Sequence, residues 1–274
     1  MNYNRQFLGT VGMIPMTGAA AEQMEPMIRE DFTDLDEYSR FKFGDGLVGI
    51  KYGTLLGSLA VSDDKSFLSN DEILVASSAY RVAPPASESL VQPFVAAANL
   101  SAQGVGLNTR FSHFKVSKAK LAADNYASMT FEERAATLQH DLILPPELKL
   151  EGRYVIMLDD IRVTGLREHA LIRLLEAADV ERADFFYVLN VPNGIEHPQT
   201  EAIINKRAVR NVEDIIELAN QPTFVPNVRM CKFIVSQPID ALERFCAAVP
   251  QSVFKTVLHY IERDDLRSVV KFIP

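Results

Sequence analysis

Long apolar runs are missing from this sequence. No stretch of about 18 apolar residues occurs, which argues against a membrane-spanning helix. Cysteine is scarce: Cys231 and Cys246 are the only two. Both sit among apolar neighbours and read as small core residues of a cytoplasmic protein in a reducing compartment, with no disulfide framework. Positive charge is also in deficit, with 28 Lys and Arg against 36 Asp and Glu and a formal net charge of −8. A general nucleic-acid binder needs a basic footprint, so that class is not expected. The histidines, His113, His140, His169, His197 and His259, are scattered without a His/Cys cluster, and no protein metal site is expected from them. G-x-S-x-G, Walker A and G-x-G-x-x-G sequences are lacking, which leaves acyl hydrolysis, P-loop and dinucleotide readings unsupported. The mildly apolar segment 7–21 is interrupted by Gly9, Gly12, Pro15 and Gly18 and reads as structure rather than as a secretion signal.

What is present is an ordinary globular composition over 274 residues, 47% hydrophobic and 23% charged. That length suits one large domain, or a domain with a subdomain. The informative stretch is 154–168. Tyr154, Val155, Ile156, Met157 and Leu158 form an unbroken apolar run, suited to a strand covered on both faces as in a parallel sheet. Two carboxylates, Asp159 and Asp160, follow where the strand is expected to end. A short turn carries Thr164 and Gly165. The period then becomes helical, with Ala170, Leu171, Leu174, Leu175 and Ala178 recurring and Glu168 early in the helix, where the dipole favours an acid. Ligands of open α/β sheets sit at the carboxyl ends of strands, and a helix N-terminus offers N–H groups to phosphate. The plainer alternative is a strand ending in a helix cap.

The order of apolar run, acid pair, Thr-Gly turn and helix resembles the phosphoribosyl-pyrophosphate (PRPP) motif of type I phosphoribosyltransferases. The resemblance implies that Asp159 and Asp160 hold the ribose 2′- and 3′-hydroxyls. It implies that the turn of Arg162, Val163, Thr164, Gly165, Leu166 and Arg167 wraps the 5′-phosphate. Val163 falls at a position that varies in the family, and Arg167 stands where Thr or Ser is usual. The chemistry agrees, since carboxylates accept from vicinal hydroxyls and glycine lets backbone close on an anion. The implied fold is α/β, with a mostly parallel central sheet flanked by helices. The implied reaction uses PRPP with substrate-bound Mg²⁺ and transfers ribose 5-phosphate to an acceptor not readable from sequence.

Elsewhere, Glu72–Ser77 and 184–189 read as further buried strands, and 110–117 as a strand opening a basic stretch with Arg110, Lys115, Lys118 and Lys120. The loop 77–85 ends in Pro84-Pro85, holds Arg81 as its one basic residue and contains no glycine. In the resembled family this loop meets pyrophosphate, and a mobile loop precedes the PRPP motif. Arg81, Arg110, Lys115 and Lys118 are therefore the candidates for the pyrophosphate side, with a solvated strand edge as the alternative for the lysines. The basic stretch ahead of a helix start at Thr130 also resembles the ComF-like branch. Ser69–Asp71 reads as a turn. Lys42 and Asp45, beside Gly44 and Gly46, read as a loop entering the next element, with an approach to substrate as the alternative. Residues 1–21 have no clear assignment.

Residues 1–191 are expected to form the α/β domain. Residues 192–274 read as an α-rich region, a hood over the acceptor or a homodimer element, with a strand at 230–235. Two functions remain open at this point. One is a phosphoribosyltransferase. The other, favoured by Arg167 and the glycine-free loop, is a non-catalytic PRPP- or nucleotide-binding regulator or biosynthetic-complex component.

Overall fold

The computed structural model describes residues 1–15, 24–28, 34–62, 72–119, 141–192 and 200–266. Lys120, the turn at Ser69–Asp71 and the helix start at Thr130 lie outside these residues. The chain begins with strands β1 (Asn2–Pro15) and β2 (Met24–Ile28) and helices α1 (Leu35–Lys42) and α2 (Gly46–Ser62). It continues through β3 (Glu72–Ser77), α3 (Glu88–Gly104), β4 (Arg110–His113), β5 (Ser117–Lys118) and β6 (Leu142–Ile143). Then come β7 (Tyr154–Arg162), α4 (Leu166–Ala177) and β8 (Arg182–Asn190). Among the described residues there follow α5 (Thr200–Asn205), α6 (Val212–Ala219), α7 (Val228–Val235), α8 (Ile239–Ala248) and α9 (Gln251–Arg263).

The central sheet has the order β2-β1-β8-β7-β3-β4. Every pairing from β1 to β4 across this sheet is parallel, and only the edge strand β2 is antiparallel. The strands expected at 72–77, 154–158 and 184–189 lie side by side at its centre. β4 is shorter than the sequence reading: it ends at His113, and Ser117–Lys118 leaves to pair with Leu142–Ile143 in a separate two-stranded ladder. The N-terminal segment, unassigned from sequence, is a strand of the main sheet, with Asn2–Thr10 running parallel to Arg182–Asn190.

Side chains alternate between two cores, as strands covered on both faces require. Ile73, Val75, Ile156, Leu158, Phe186 and Val188 point to one face with α1, α2 and α3, while Leu74, Ala76, Val155, Met157, Phe185 and Tyr187 point to the other with α4. A third core lies in the C-terminal helices, where Ile215, Met230, Cys231, Phe245 and Ile261 are buried together with Phe43.

Two expectations for this region are corrected. The segment 230–235 is helical: Asn227 accepts from the Met230 N–H, and Met230, Cys231, Ile234 and Val235 share one buried face at helical spacing. Only Cys231 is a core thiol; Cys246 is exposed on α8, because its neighbour Phe245 takes the buried face.

The packing of α2 on α3 sets how close the helices over the first face can come. A Cβ on Gly53 would lie 2.5 Å from the Leu90 carbonyl oxygen, and one on Gly57 would lie 2.4 Å from that of Phe94. The helices therefore meet backbone to backbone. Gly57→Ala gains helix propensity of about 1 kcal/mol, yet overpacking of this kind costs about 1–3 kcal/mol. We expect a lower urea midpoint with an unchanged m-value. A variant more stable than wild type would contradict this packing.

Candidate functional site

β7 does not stop before its acid pair. It runs through Asp159 and Asp160 to Arg162, because β8 keeps pairing with it up to Arg162 and Asn190. On the other side β3 ends: Ser77 pairs with Leu158, and the Ser78 N–H makes one more bond to the Leu158 carbonyl. The two carboxylates thus lie where one neighbouring strand has stopped and the other continues, which opens a crevice at the carboxyl ends of the strands.

The turn that follows forms a cavity of about 250 Å³, lined by Asp159, Arg162, Val163, Thr164, Gly165, Leu166, Arg167, Glu168, Tyr187 and Glu201. Gly165 has φ +73° and serves as N-cap of α4. A side chain there would be strained and would meet the Arg162 guanidinium at 3.0 Å. The Thr164 hydroxyl accepts from the Leu166 N–H at 3.4 Å. Glu168, buried in the first turn, takes Arg5 at 2.7 and 2.9 Å, the Tyr187 hydroxyl at 2.8 Å and Arg162 at 3.3 Å. Burial pushes this carboxyl up, but hydrogen bonds from Arg5 and Tyr187 and the charge of Arg162 outweigh it and hold the group below its usual range.

Each acid of the pair has a protein cation beside it. Arg167 donates to both oxygens of Asp159, at 3.3 and 3.4 Å. Lys42, from the end of α1, donates to Asp160 and at 3.0 Å to Glu201 of α5. Arg229 of α7 reaches the same Glu201 oxygen at 2.8 Å. The cations Lys42, Arg167 and Arg229 hold Glu201 far below the ordinary carboxylate range. Asp159 moves the other way, up to about 6: burial is the largest cause, opposed by Arg167 and reinforced by the like charge of Asp160. The Tyr38 hydroxyl is fully buried without a hydrogen-bond partner. Burial, then the negative field of Asp160, Glu201 and Asp159, keeps it protonated.

A second cavity of about 250 Å³ adjoins the first. It is lined by Ser78, Ala79, Pro85, Lys118, Leu142, Ala170, Leu171, Val228 and Lys232, and it shares Arg167 with its neighbour. Lys118, Arg167 and Lys232 converge on it. Burial lowers the Lys118 ammonium; Asp141 offsets part of this, and Arg167 and Lys232 add repulsion.

The structure brings Asp159, the turn 162–167 and Lys118 together at the two cavities, while Asp160 is buried behind them, lines neither cavity and accepts from Lys42 and the Ile161 N–H. It does not bring the other basic candidates with them. Arg81 is exposed and lines neither cavity. Lys115 donates to the Arg81 carbonyl at 2.8 Å and lies over the Tyr80 ring. Arg110 opens β4 opposite Glu72, at the amino end of the sheet and away from the crevice. Lys42, read first as part of a loop, sits in the site, as do Glu201, Arg229 and Lys232. Only for Lys42, beside Gly44 and Gly46, was there a sequence signal.

The loop 77–85 does not present its N–H groups to the crevice as a row. Those of Val82 and Ala83 donate to the two carboxylate oxygens of buried Asp264, at 3.2 and 2.9 Å. Tyr80 N–H bonds Val116 and Ser78 N–H bonds Leu158. Among the described residues no group of three or more His, Cys, Asp or Glu is placed to hold a metal ion. The acid pair and Glu201 are already matched by Arg167, Lys42 and Arg229, so the residues present do not fit a protein-held Mg²⁺. Nor, among the described residues, is any helix long and apolar enough to cross a membrane.

A parallel sheet whose central strand delivers an acid pair and a Thr-Gly turn to a helix N-terminus defines a protein of the type I phosphoribosyltransferase fold. The chain belongs to the family described as PRTase ComF-like, whose model matches residues 28–265. Solved structures similar to it include a hypoxanthine-guanine phosphoribosyltransferase from Bacillus anthracis, at 16% identity and TM-score 0.34 over 55% of this chain and 73% of that one. Another is a hypoxanthine phosphoribosyltransferase from Staphylococcus aureus, at 14% identity and TM-score 0.36 over 60% and 69%. No match was found among curated proteins.

Two stability predictions follow from the cage. Lys42→Met leaves two buried carboxylates short of a cation, and breaking a buried pair costs about 3–5 kcal/mol. Adding Asp160→Asn is expected to restore part of this loss in urea unfolding; full additivity of the two losses would refute the pairing. The second concerns acid. Glu201 has a folded pKa below its ordinary value of 4.5, so its pairs stabilise the protein at neutral pH and that contribution is lost as pH falls below about 4.5. Glu201→Gln is expected to be less stable than wild type at pH 7, with the difference shrinking towards pH 3. Asp159 acts in the opposite direction, because a raised pKa favours folding as pH falls through about 6.

Proposed function

We propose that this chain binds PRPP across the two cavities and transfers its ribose 5-phosphate to a nitrogen acceptor with release of pyrophosphate. The observation that carries this reading is the position of Arg167. It lines both the Thr-Gly turn cavity and the Lys118–Lys232 cavity, beside Asp159. A ribose placed on the acid pair then has its 5′-phosphate at the turn and its C1 side towards the converging cations. Family membership supports phosphoribosyl transfer as the chemistry.

In this reading Asp159 and Asp160 accept from the ribose hydroxyls, with Arg167 and Lys42 shared or displaced as the sugar enters. The turn holds the 5′-phosphate through the first N–H groups of α4, aided by the Arg162 guanidinium over Gly165. The C1–O bond breaks, its electron pair leaving with the pyrophosphate. The acceptor nitrogen forms the C1–N bond and gives its proton to solvent. Positive charge at the sugar faces the carboxylates, and negative charge on the leaving group faces Lys118, Arg167 and Lys232. The C-terminal helices act as a hood, since they supply Lys232 and clamp the loop 82–83. Mg²⁺, which the resemblance implies, would ride on the substrate's own oxygens and water and would offset charge on the leaving group.

One observation favours the non-catalytic regulator instead: Asp264 already occupies the Val82 and Ala83 N–H groups of the loop that meets pyrophosphate in the resembled family. The test is PRPP affinity beside pyrophosphate release, in wild type and in Asp159→Asn/Asp160→Asn. Loss of charged hydrogen bonds should weaken binding by about 1–3 kcal/mol, and turnover should fall further if the acids also stabilise the transition state. Tight PRPP binding with no pyrophosphate released by any acceptor tried would favour the regulator. No affinity for PRPP, ribose 5-phosphate or nucleotides would end both readings.

A further inference from the structure

Positive charge is distributed unevenly around the crevice. On the ribose side each carboxylate is matched: Asp159 by Arg167, Asp160 by Lys42, and Glu201 by Lys42 and Arg229. On the other side the balance is positive. Lys118 and Lys232 line the second cavity with Arg167, and among the described residues that lining contains no carboxylate. Burial lowers the Lys232 ammonium, Arg229 and Arg167 add repulsion, and Asp264 opposes them. Asp141 plays that part for Lys118. In a chain of net charge −8, Lys118 is repelled by Lys232 and by Arg167, whose charge is shared with Asp159, and an anion that enters between them relieves that repulsion.

A diphosphate carries several negative charges on closely spaced oxygens. Two kinds of partner can neutralise them: a divalent ion carried in with the ligand, or cations fixed in the protein. Here the second kind is built in, from three separate elements. Lys118 comes from β5, Arg167 from the first turn of α4 and Lys232 from α7.

We propose that this chain binds its ribose diphosphate ligand through Lys118, Arg167 and Lys232 without requiring a divalent ion. The inference rests on the PRPP reading above and concerns how the diphosphate end is held. Lys232 makes the C-terminal helical region part of the anion site. The loop 77–85 is then released from gripping the diphosphate, consistent with Asp264 taking two of its N–H groups.

The experiment is isothermal titration calorimetry of the full chain with PRPP, inorganic pyrophosphate and ribose 5-phosphate, each in EDTA and in excess Mg²⁺. PRPP is expected to bind in EDTA with a Kd within about threefold of that in Mg²⁺, since the number of fixed cations is unchanged. Lys232→Met and Lys118→Met are expected to weaken PRPP and pyrophosphate by about tenfold each in EDTA, one charge-assisted contact apiece, while ribose 5-phosphate changes less than about twofold. That selectivity separates loss of a contact from loss of fold, and circular dichroism of each variant checks the fold directly. PRPP binding seen only with Mg²⁺ overturns this inference and leaves the PRPP reading standing. Equal losses for PRPP and ribose 5-phosphate in the lysine variants also overturn it. No PRPP binding in either buffer removes the PRPP reading and this inference together.

Discussion

Burying Asp159, Asp160 and most of Glu201 in one crevice obliges the chain to bring cations to them, and the rest of the structure is arranged to do so. An unpaired buried carboxylate is costly enough that it neutralises or unfolds its surroundings. The three cations come from different places: Lys42 from the last turn of α1, Arg167 from the first turn of α4 and Arg229 from α7. None of these elements can move away without leaving a buried acid unmatched. The same requirement explains why the segment after α1 is tied down so heavily. Asn227 donates to the Lys42 carbonyl, Val225 to that of Gly44, and Phe43 lies edge-on against Phe233. Lys42 is thereby fixed by the C-terminal helices at both ends, through its carbonyl to Asn227 and through its ammonium to Glu201.

The matched charges also set the terms on which a ligand enters. A ligand that reaches Asp159 meets a carboxyl whose partner, Arg167, is half-exposed and also lies 3.8 Å from Glu201. Asp160 offers less freedom, because Lys42 is almost fully buried and shared with Glu201. The two acids are neighbours in sequence but differ in how readily they can change partners. Asp159 is the adaptable one and Asp160 the anchored one.

Much of this was legible in the sequence because it is local. The apolar run 154–158, the acid pair, Thr164-Gly165 and the helical repeat after it are contiguous, and the order of residues is the order of the structure. The neighbouring strands 72–77 and 184–189 were legible for the same reason, as short apolar runs between polar breaks. What was not legible depends on contacts far apart in the chain. The first strand owes its place to pairing with β8, about 180 residues away in the register Asn2↔Arg182. The segment 230–235, rich in β-branched and apolar residues, became helical because the Asn227 cap and a packed face override local propensity. Glu201, Arg229 and Lys232 carry no motif, since charge pairs leave no spacing signature when the partners sit on separate elements. Arg110 illustrates the reverse error: a basic residue near others in sequence lies at the far end of the sheet, because a strand carries its two ends to opposite sides of the fold.

Asp264 accepts from Val82 and Ala83 across 182 and 181 residues of sequence. Like the pairing of β1 with β8, this contact closes a loop of most of the chain, and its loop-closure entropy is correspondingly large. During synthesis the sheet, the acid pair and the Thr-Gly turn can all be in place while residue 264 is still inside the ribosome. The loop 77–85 and the cation Lys232 depend on residues beyond that point. The C-terminal region therefore sets the shape of a loop near the other end of the chain, and the crevice depends on residues that the chain supplies last.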